Sequence, residues 1–234
     1  MFFPDRITRI GASDRVLEVG PGGLPFGRAD VLLDLAFDDE ELAAKQRGGA
    51  LAVATGKPTY FYDGGRFPFD DNEFDYVVCS HVVEHVADVE DFLSELSRVA
   101  SRGYIEFPTT YYEMLFNFSV HTQFVANDRG VVVYLDKKLV DMSAFRGVQR
   151  LMYRALELGH SSIVDASQAT MFDGFEWEGC IEGRRASSLE ELYNAYPVQV
   201  SAYLTPPRRR IGLLRRGGSR LKHEMSRLLK RVAE

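Results

Sequence analysis

The stretch Val16-Leu-Glu-Val-Gly-Pro-Gly-Gly23 decides how this chain folds. A short apolar run of strand-forming residues ends in a turn of glycines, and an acid, Glu18, stands two places before that turn. Glycine at such a turn lacks a Cβ and takes positive φ without steric cost, so the backbone can approach a ligand closely. Downstream, Phe67-Pro-Phe-Asp-Asp-Asn-Glu-Phe-Asp-Tyr-Val-Val78 is a turn-rich loop that feeds another buried strand. Together the two stretches outline a nucleotide-type cofactor site on a parallel sheet.

Outward from these stretches, strands and helices alternate. Residues 14–20 read as a first strand and Val31-Leu-Leu-Asp-Leu35 as a second, buried on both faces. Residues 38–47 are polar and helix-prone, and Gly48-Gly49 ends them. Thr59-Tyr-Phe-Tyr62 is a third strand, stopping at Asp63-Gly64-Gly65, and Tyr76-Val-Val-Cys79 is a fourth. Asp88 caps a helix with Asp91 in the N3 place. Phe92, Leu93, Leu96, Val99 and Ala100 give that helix one apolar face. Gly103 ends it, and Tyr104-Ile-Glu-Phe107 is a fifth strand. This order predicts an α/β fold, doubly wound, with a mostly parallel seven-stranded sheet, helices on both faces and its last strands after residue 160. Beyond Pro108 the pattern loosens. Residues 130–135 suggest a strand, Asp141 or Ser143 caps a helix to about Leu158, and residues 171–185 form one or two strands.

The bulk composition narrows the classes. A chain of 234 residues, 45% hydrophobic and 26% charged, fits one soluble domain with additions. No run reaches the roughly 18 apolar residues of a membrane span. The start lacks a signal-peptide layout, so the expectation is a cytoplasmic protein. Cys79 and Cys180 both read as free, buried thiols. From Arg208 onward ten Lys or Arg stand against two Glu, a local balance of +8, which leaves −14 for residues 1–207. So acidic a body argues against broad nucleic-acid binding.

In open parallel sheets, ligands sit beyond the carboxyl ends of the strands. Gly20-Pro21-Gly22, Asp34, Asp63, Ser80-His81 and Pro108-Thr109 all fall there. The segment from Asp14 to Pro108 resembles class I S-adenosylmethionine-dependent methyltransferases of the broad type 11-like group. The residues that carry the resemblance are Leu17-Glu-Val-Gly-Pro-Gly22, Asp63, Phe67-Pro-Phe69, Phe74-Asp75, Val83-Glu-His-Val86 and Leu96-Ser-Arg-Val99. It implies a Rossmann-like sheet and S-adenosyl-L-methionine as cofactor. It also implies roles: Glu18, Gly20, Pro21 and Gly22 at the methionine end, Asp34 on the ribose, Asp63 and Gly64 beside the adenine, and Ser80 and His81 near the sulfonium. Each acid also has a plain reading, because Asp at a strand end often caps a turn. Only 14 residues separate Gly20 from Asp34, and Pro25 and Gly27 interrupt them, so a short helix or a loop follows the glycine turn. That spacing leaves Asp38 as a rival to Asp34 and disfavours a nicotinamide dehydrogenase.

Methyl transfer is a direct displacement, for which the protein aligns the reactants and takes up a proton where the acceptor requires it. The residues suited to that work are His81, Glu84, His85 and His121. Three of them lie within one turn and His121 would complete a metal-ligand set. Supporting the loop, lining the substrate and acting as a base are the competing readings, and no metal is assigned. Tyr111, Tyr112, Phe116 and Phe118 follow the fifth strand, either as a stacking surface for a flat or sugar-like acceptor or as core.

The expected domain spans 1–206, with its cofactor core at about 14–108 and substrate-side elements at 109–206. Residues 207–234 form a basic amphipathic tail that reads as a helix from Ser219, suited to an anionic membrane surface, to a partner or to the acidic body. The acceptor reads as a small molecule, sugar or lipid-linked intermediate. An RNA 2′-O-methyltransferase-like enzyme with a His/Glu metal site and a non-catalytic cofactor-binding module are the alternatives.

Overall fold

A computed structural model describes residues 1–37 and 56–195. The helix expected at 38–47, Asp38, Pro206-Pro207 and the basic tail lie outside the described residues. The chain divides after Pro197, and every described residue belongs to the first unit.

Strands β1 (Val16–Val19), β2 (Val31–Leu35), β3 (Thr59–Tyr62), β4 (Tyr76–Ser80) and β5 (Arg102–Pro108) fall where the apolar runs place them. They pair in parallel in the order β3-β2-β1-β4-β5. The order reverses at β1 and β4, so the carboxyl ends of those two strands border the crevice in which such sheets bind ligands. Helix α1 (Val89–Val99) starts where Asp88 accepts the Asp91 N–H at 3.1 Å, and it buries Phe92, Leu93, Leu96 and Val99. Those side chains pack on Leu17, Val19, Val77, Cys79 and Ile105 of the sheet. Each fully buried apolar side chain contributes about 1.5–3 kcal/mol.

Past Pro108 the described strands join two sheets. Strand β8 (Phe172–Glu178) brings the main sheet to six strands among the described residues and runs antiparallel to β5. A separate three-stranded sheet is built from β6 (Gln123–Asp128), β7 (Val131–Asp136) and β9 (Glu182–Arg185). The β6–β7 hairpin turns on Arg129 and Gly130, both at positive φ, the geometry that two-residue hairpin loops favour. Val125, Val132 and Tyr134 of this hairpin complete the core around α1. On the opposite face, the described residues place a single 3-10 turn, Pro4–Arg6, in the N-terminal segment. Ile7, Ile10 and Phe26 cover Val16, Tyr76, Val78 and Tyr104. Helices α2 (Thr110–Phe116) and α3 (Arg146–Glu157) stand beyond the carboxyl edge, over the crevice. Of the two free cysteines, Cys79 is buried as expected, but Cys180 is exposed. It follows Gly179, whose φ of 80° makes the turn out of β8, so its side chain leaves the core.

Candidate active site

The crevice is a cleft of about 2340 Å³ bounded by the glycine turn, the ends of β2 to β4 and the two helices beyond them. Gly20 and Gly22 adopt φ of 69° and 57°. A Cβ on Gly20 would come within 2.3 Å of a Val82 methyl, whereas nothing lies within 4 Å of one on Gly22, so the turn needs glycine at the first place and keeps open space at the second. Pro21 lines the same wall. No helix follows the turn. A loop runs to Asp30, and its far end is held by Lys57, which donates to the carbonyls of Phe26, Gly27 and Ala29.

Glu18 faces the other side of β1. Its carboxylate accepts the Phe26 N–H at 2.7 Å, and it does not line the cleft. Burial pushes its pKa up to about 7, against the lowering effects of that hydrogen bond and of Lys57. It therefore shapes the turn from behind. Asp34 ends β2 at the cleft edge, half-buried, with one oxygen accepting the Leu35 N–H. Asp63 is exposed on the same edge and accepts the Gly65 N–H at 3.1 Å, while Gly64 takes φ of 98°. A glycine cradle and two carboxylates on adjacent strand ends fit a cofactor with an amino-acid end and a ribosyl-purine end.

Ser80 ends β4 and donates to Glu106 Oε1 at 2.9 Å. His81 follows at φ of 60°, a left-handed conformation uncommon outside glycine. Its Nδ1 lies 3.3 Å from Glu84 Oε1 and its Nε2 lies 3.2 Å from Glu106 Oε1. Neither Nε2 nor the Glu84 oxygens make an aligned hydrogen bond, so these contacts act through charge when the ring is protonated. Burial works against charge on this ring, yet Glu106 and Glu84 hold its pKa above the ordinary value. Burial likewise pushes both glutamates up, and the histidines outweigh it: His81, His85 and His121 hold Glu84 at about 2, and His81 with the Phe2 and Phe3 amides holds Glu106 at about 2. Phe2 stacks on Phe172 with ring centres 3.8 Å apart and meets the edge of His81.

His85 and His121 close the far side of this cluster, their rings 4.6 Å apart. Burial lowers the pKa of His85. Tyr112, Phe116, Phe118 and Phe172 form the adjoining wall. Phe116 is core, Tyr112 and Phe118 are half-buried, and Tyr111 turns away to Tyr193. Arg146, Arg150 and Arg154, one helical turn apart on α3, line the outer rim.

Glu106 is the acid behind the site that pattern reading missed. It is fully buried in β5, yet gathers Ser80, Tyr104 and the amides of Phe2 and Phe3. An acid inside a strand buried on both faces is the signal that marks it. The Phe67–Phe74 loop is likewise held by partners outside it: Arg98 donates to the carbonyls of Phe67 and Phe69 and to Asp71, and Glu95 accepts the Phe67 N–H.

A methyltransferase domain family matches residues 32–105, about a third of the chain. No curated protein matches the sequence. Among solved structures, it is similar to an S-adenosylmethionine-dependent methyltransferase from Thermotoga maritima at 18% identity, over 45% of this chain and 49% of that one, with a TM-score of 0.34. A protein from Bacillus subtilis shows 20% identity over 48% and 57%, with a TM-score of 0.35. An S-adenosylmethionine-dependent methyltransferase from Mesorhizobium loti shows 15% identity over 74% and 93%, with a TM-score of 0.39. The chain spans about half the length of the first two.

Proposed function

We propose that this class I methyltransferase domain, of the type 11-like kind, serves an enzyme that moves a methyl group from S-adenosylmethionine to a small-molecule, sugar or lipid-linked acceptor. One observation carries the reading: the glycine turn, Asp34, Asp63-Gly64 and Ser80 meet in a single cleft at the reversal point of the sheet, and the family match takes in Asp34, Asp63-Gly64 and Ser80. When bound, the cofactor supplies an electrophilic methyl group on a sulfonium.

The chain's own residues then bind and orient. Gly20 to Gly22 admit the backbone close to the amino-acid end, Asp34 accepts from ribose hydroxyls and Asp63 from the exocyclic amine. Phe2, Tyr112, Phe118 and Phe172 shield the reacting centre from water and offer flat surfaces to an acceptor. Arg146 and Arg150 on the rim favour an acceptor with an anionic group. His85, whose pKa burial lowers, stands against His121, which stacks on Phe118 of that wall, and it takes the acceptor's proton where one must leave.

Calorimetric titration with S-adenosylhomocysteine tests the reading. Wild type binds in the micromolar range, and Asp34→Ala weakens binding by about 1–3 kcal/mol, as expected for a lost charged hydrogen bond. Absence of binding by the folded wild type refutes it. Arg150→Ala is expected to raise KM for an anionic acceptor and leave cofactor affinity unchanged.

A further inference from the structure

The geometry points to a binding site for one divalent transition-metal cation at Glu84, His85 and His121. Glu84 and His85 stand on the turn Val83–His85 that follows β4, and His121 stands on the loop before β6. One ligand atom from each lies within 4.8 Å of the others. Three donors about 2.1 Å from a cation at tetrahedral angles are about 3.4 Å apart, so small side-chain rotations close the set.

Three features distinguish this cluster from a chance meeting of polar groups. First, Glu84 is 0% exposed, and neither of its oxygens has a hydrogen-bond donor among the described residues. A carboxylate buried without donors is costly unless a cation offsets it. His81 does so in part, through an off-line contact at one oxygen. Second, each imidazole is oriented from behind. His85 Nδ1 faces the Val120 carbonyl at 3.1 Å, and His121 Nδ1 faces Glu113, whose other oxygen is held by Lys137 at 2.7 Å. A ring that donates through Nδ1 keeps its lone pair on Nε2, and carbonyl or carboxylate support of this kind is the usual outer shell of a metal-bound histidine. Third, the two segments are joined independently of the cluster: Thr122 donates its N–H to the Glu84 carbonyl at 2.7 Å, and its hydroxyl donates to the carbonyls of Glu84 and Val86. The donors are therefore held in place before any ligand arrives.

Two imidazole nitrogens and one carboxylate oxygen suit zinc, cobalt, manganese or iron(II) rather than calcium or magnesium. All three ligands line the cleft, which leaves coordination positions open on the acceptor side. His81 is not among the ligands, since its nitrogens face Glu84 and Glu106. A cation here occupies the Nε2 atom otherwise free to accept a proton, and replaces base catalysis by lowering the pKa of a coordinated oxygen.

The test needs no methyl acceptor and no cofactor. The full chain, stripped with a chelator, is titrated with Co²⁺ and followed by visible absorption, with Zn²⁺ added as competitor. One equivalent of Co²⁺ should give saturable d–d bands that Zn²⁺ abolishes, and Zn²⁺ should raise the melting temperature. His85→Ala and His121→Ala, on separate segments, should lose both responses while keeping the wild-type circular dichroism. Glu113→Gln, which changes the support behind His121 and leaves an amide oxygen for Lys137, should weaken binding of the folded variant about 10–100-fold. His160→Ala, at an exposed histidine outside the cleft, should change nothing. Absence of saturable cobalt bands in the wild type overturns the proposal. So does undiminished binding in either histidine variant that folds.

Discussion

Replacing Glu18 by Gln separates a structural role from a cofactor role for the acid that precedes the glycine turn. The carboxylate is 5% exposed, accepts one amide from Phe26 and lies behind the turn. Burial raises its pKa from the ordinary 4.5 to about 7. Between those values the folded chain binds more protons at this site than the unfolded chain, so stability falls as pH rises through that window. The loss is absent below about pH 4 and complete above about pH 8. A gap from 4.5 to about 7, at 1.36 kcal/mol for each pH unit, amounts to about 3 kcal/mol at most. Glutamine retains an acceptor for Phe26 and carries no charge to bury. Glu18→Gln should therefore match the wild type at pH 4 and exceed it by as much as about 3 kcal/mol at pH 8, a rise of about 6–12 °C in melting temperature for a chain of this size. Urea unfolding at the two pH values measures the difference, and S-adenosylhomocysteine titration at pH 8 should show little change in affinity. If Glu18→Gln is no more stable than wild type at pH 8, the carboxylate is not buried against its charge. If cofactor affinity collapses in the folded variant, Glu18 reaches the ligand and the placement behind the turn is wrong.

Two other substitutions examine how the cleft is held. Arg98→Ala removes the donor to Phe67, Phe69 and Asp71, and should destabilise the chain by about 2–3 kcal/mol; a change within experimental error in urea unfolding would show that the loop stands without it. Lys137→Met leaves Glu113 buried beside His121 without its cation, and should cost about 3–5 kcal/mol. Adding Glu113→Leu should recover part of that loss, and a double variant as unstable as the single one would contradict the pairing.

The parallel half of the fold was legible in the sequence because its signals are local. Glycine at 20 and 22, the Asp88 cap and the i, i+3, i+4 spacing from Phe92 to Val99 each act within a few residues. The second half was not, because its signals are distant. Strand β8 is set by antiparallel pairing with β5 across about seventy residues, and β9 by parallel pairing with β7. A reader of residues 171–185 sees strand-forming segments but not that they belong to different sheets. The site divides in the same way. Asp34, Asp63 and Ser80 sit at strand ends where spacing alone places them. Glu106 became visible only when Phe2, Ser80, His81 and Tyr104 converged on it, since their sequence separations range from 2 to 104 residues. Glu18 shows the opposite case: its spacing from the turn fits a cofactor ligand, but strand alternation turns its side chain away from the cleft.

His81 is where the two halves meet, and its backbone and its charge make separate demands. Its φ of 60° costs a β-carbon residue about 1–3 kcal/mol, a strain that persists only when surrounding contacts over-determine it. Those contacts are Glu84 on one nitrogen and Glu106 on the other. Asparagine tolerates the left-handed region better than other non-glycine residues and brings no charge. His81→Asn therefore isolates the loss of the cation, while His81→Ala combines that loss with the full backbone penalty. Both variants should be less stable than wild type, with alanine below asparagine by about 1 kcal/mol. Equal stability of the two variants would mean that the backbone relaxes and that nothing holds it strained. Wild-type stability in both would mean that the paired carboxylates need no cation between them, and the electrostatic account of this corner of the cleft would fail.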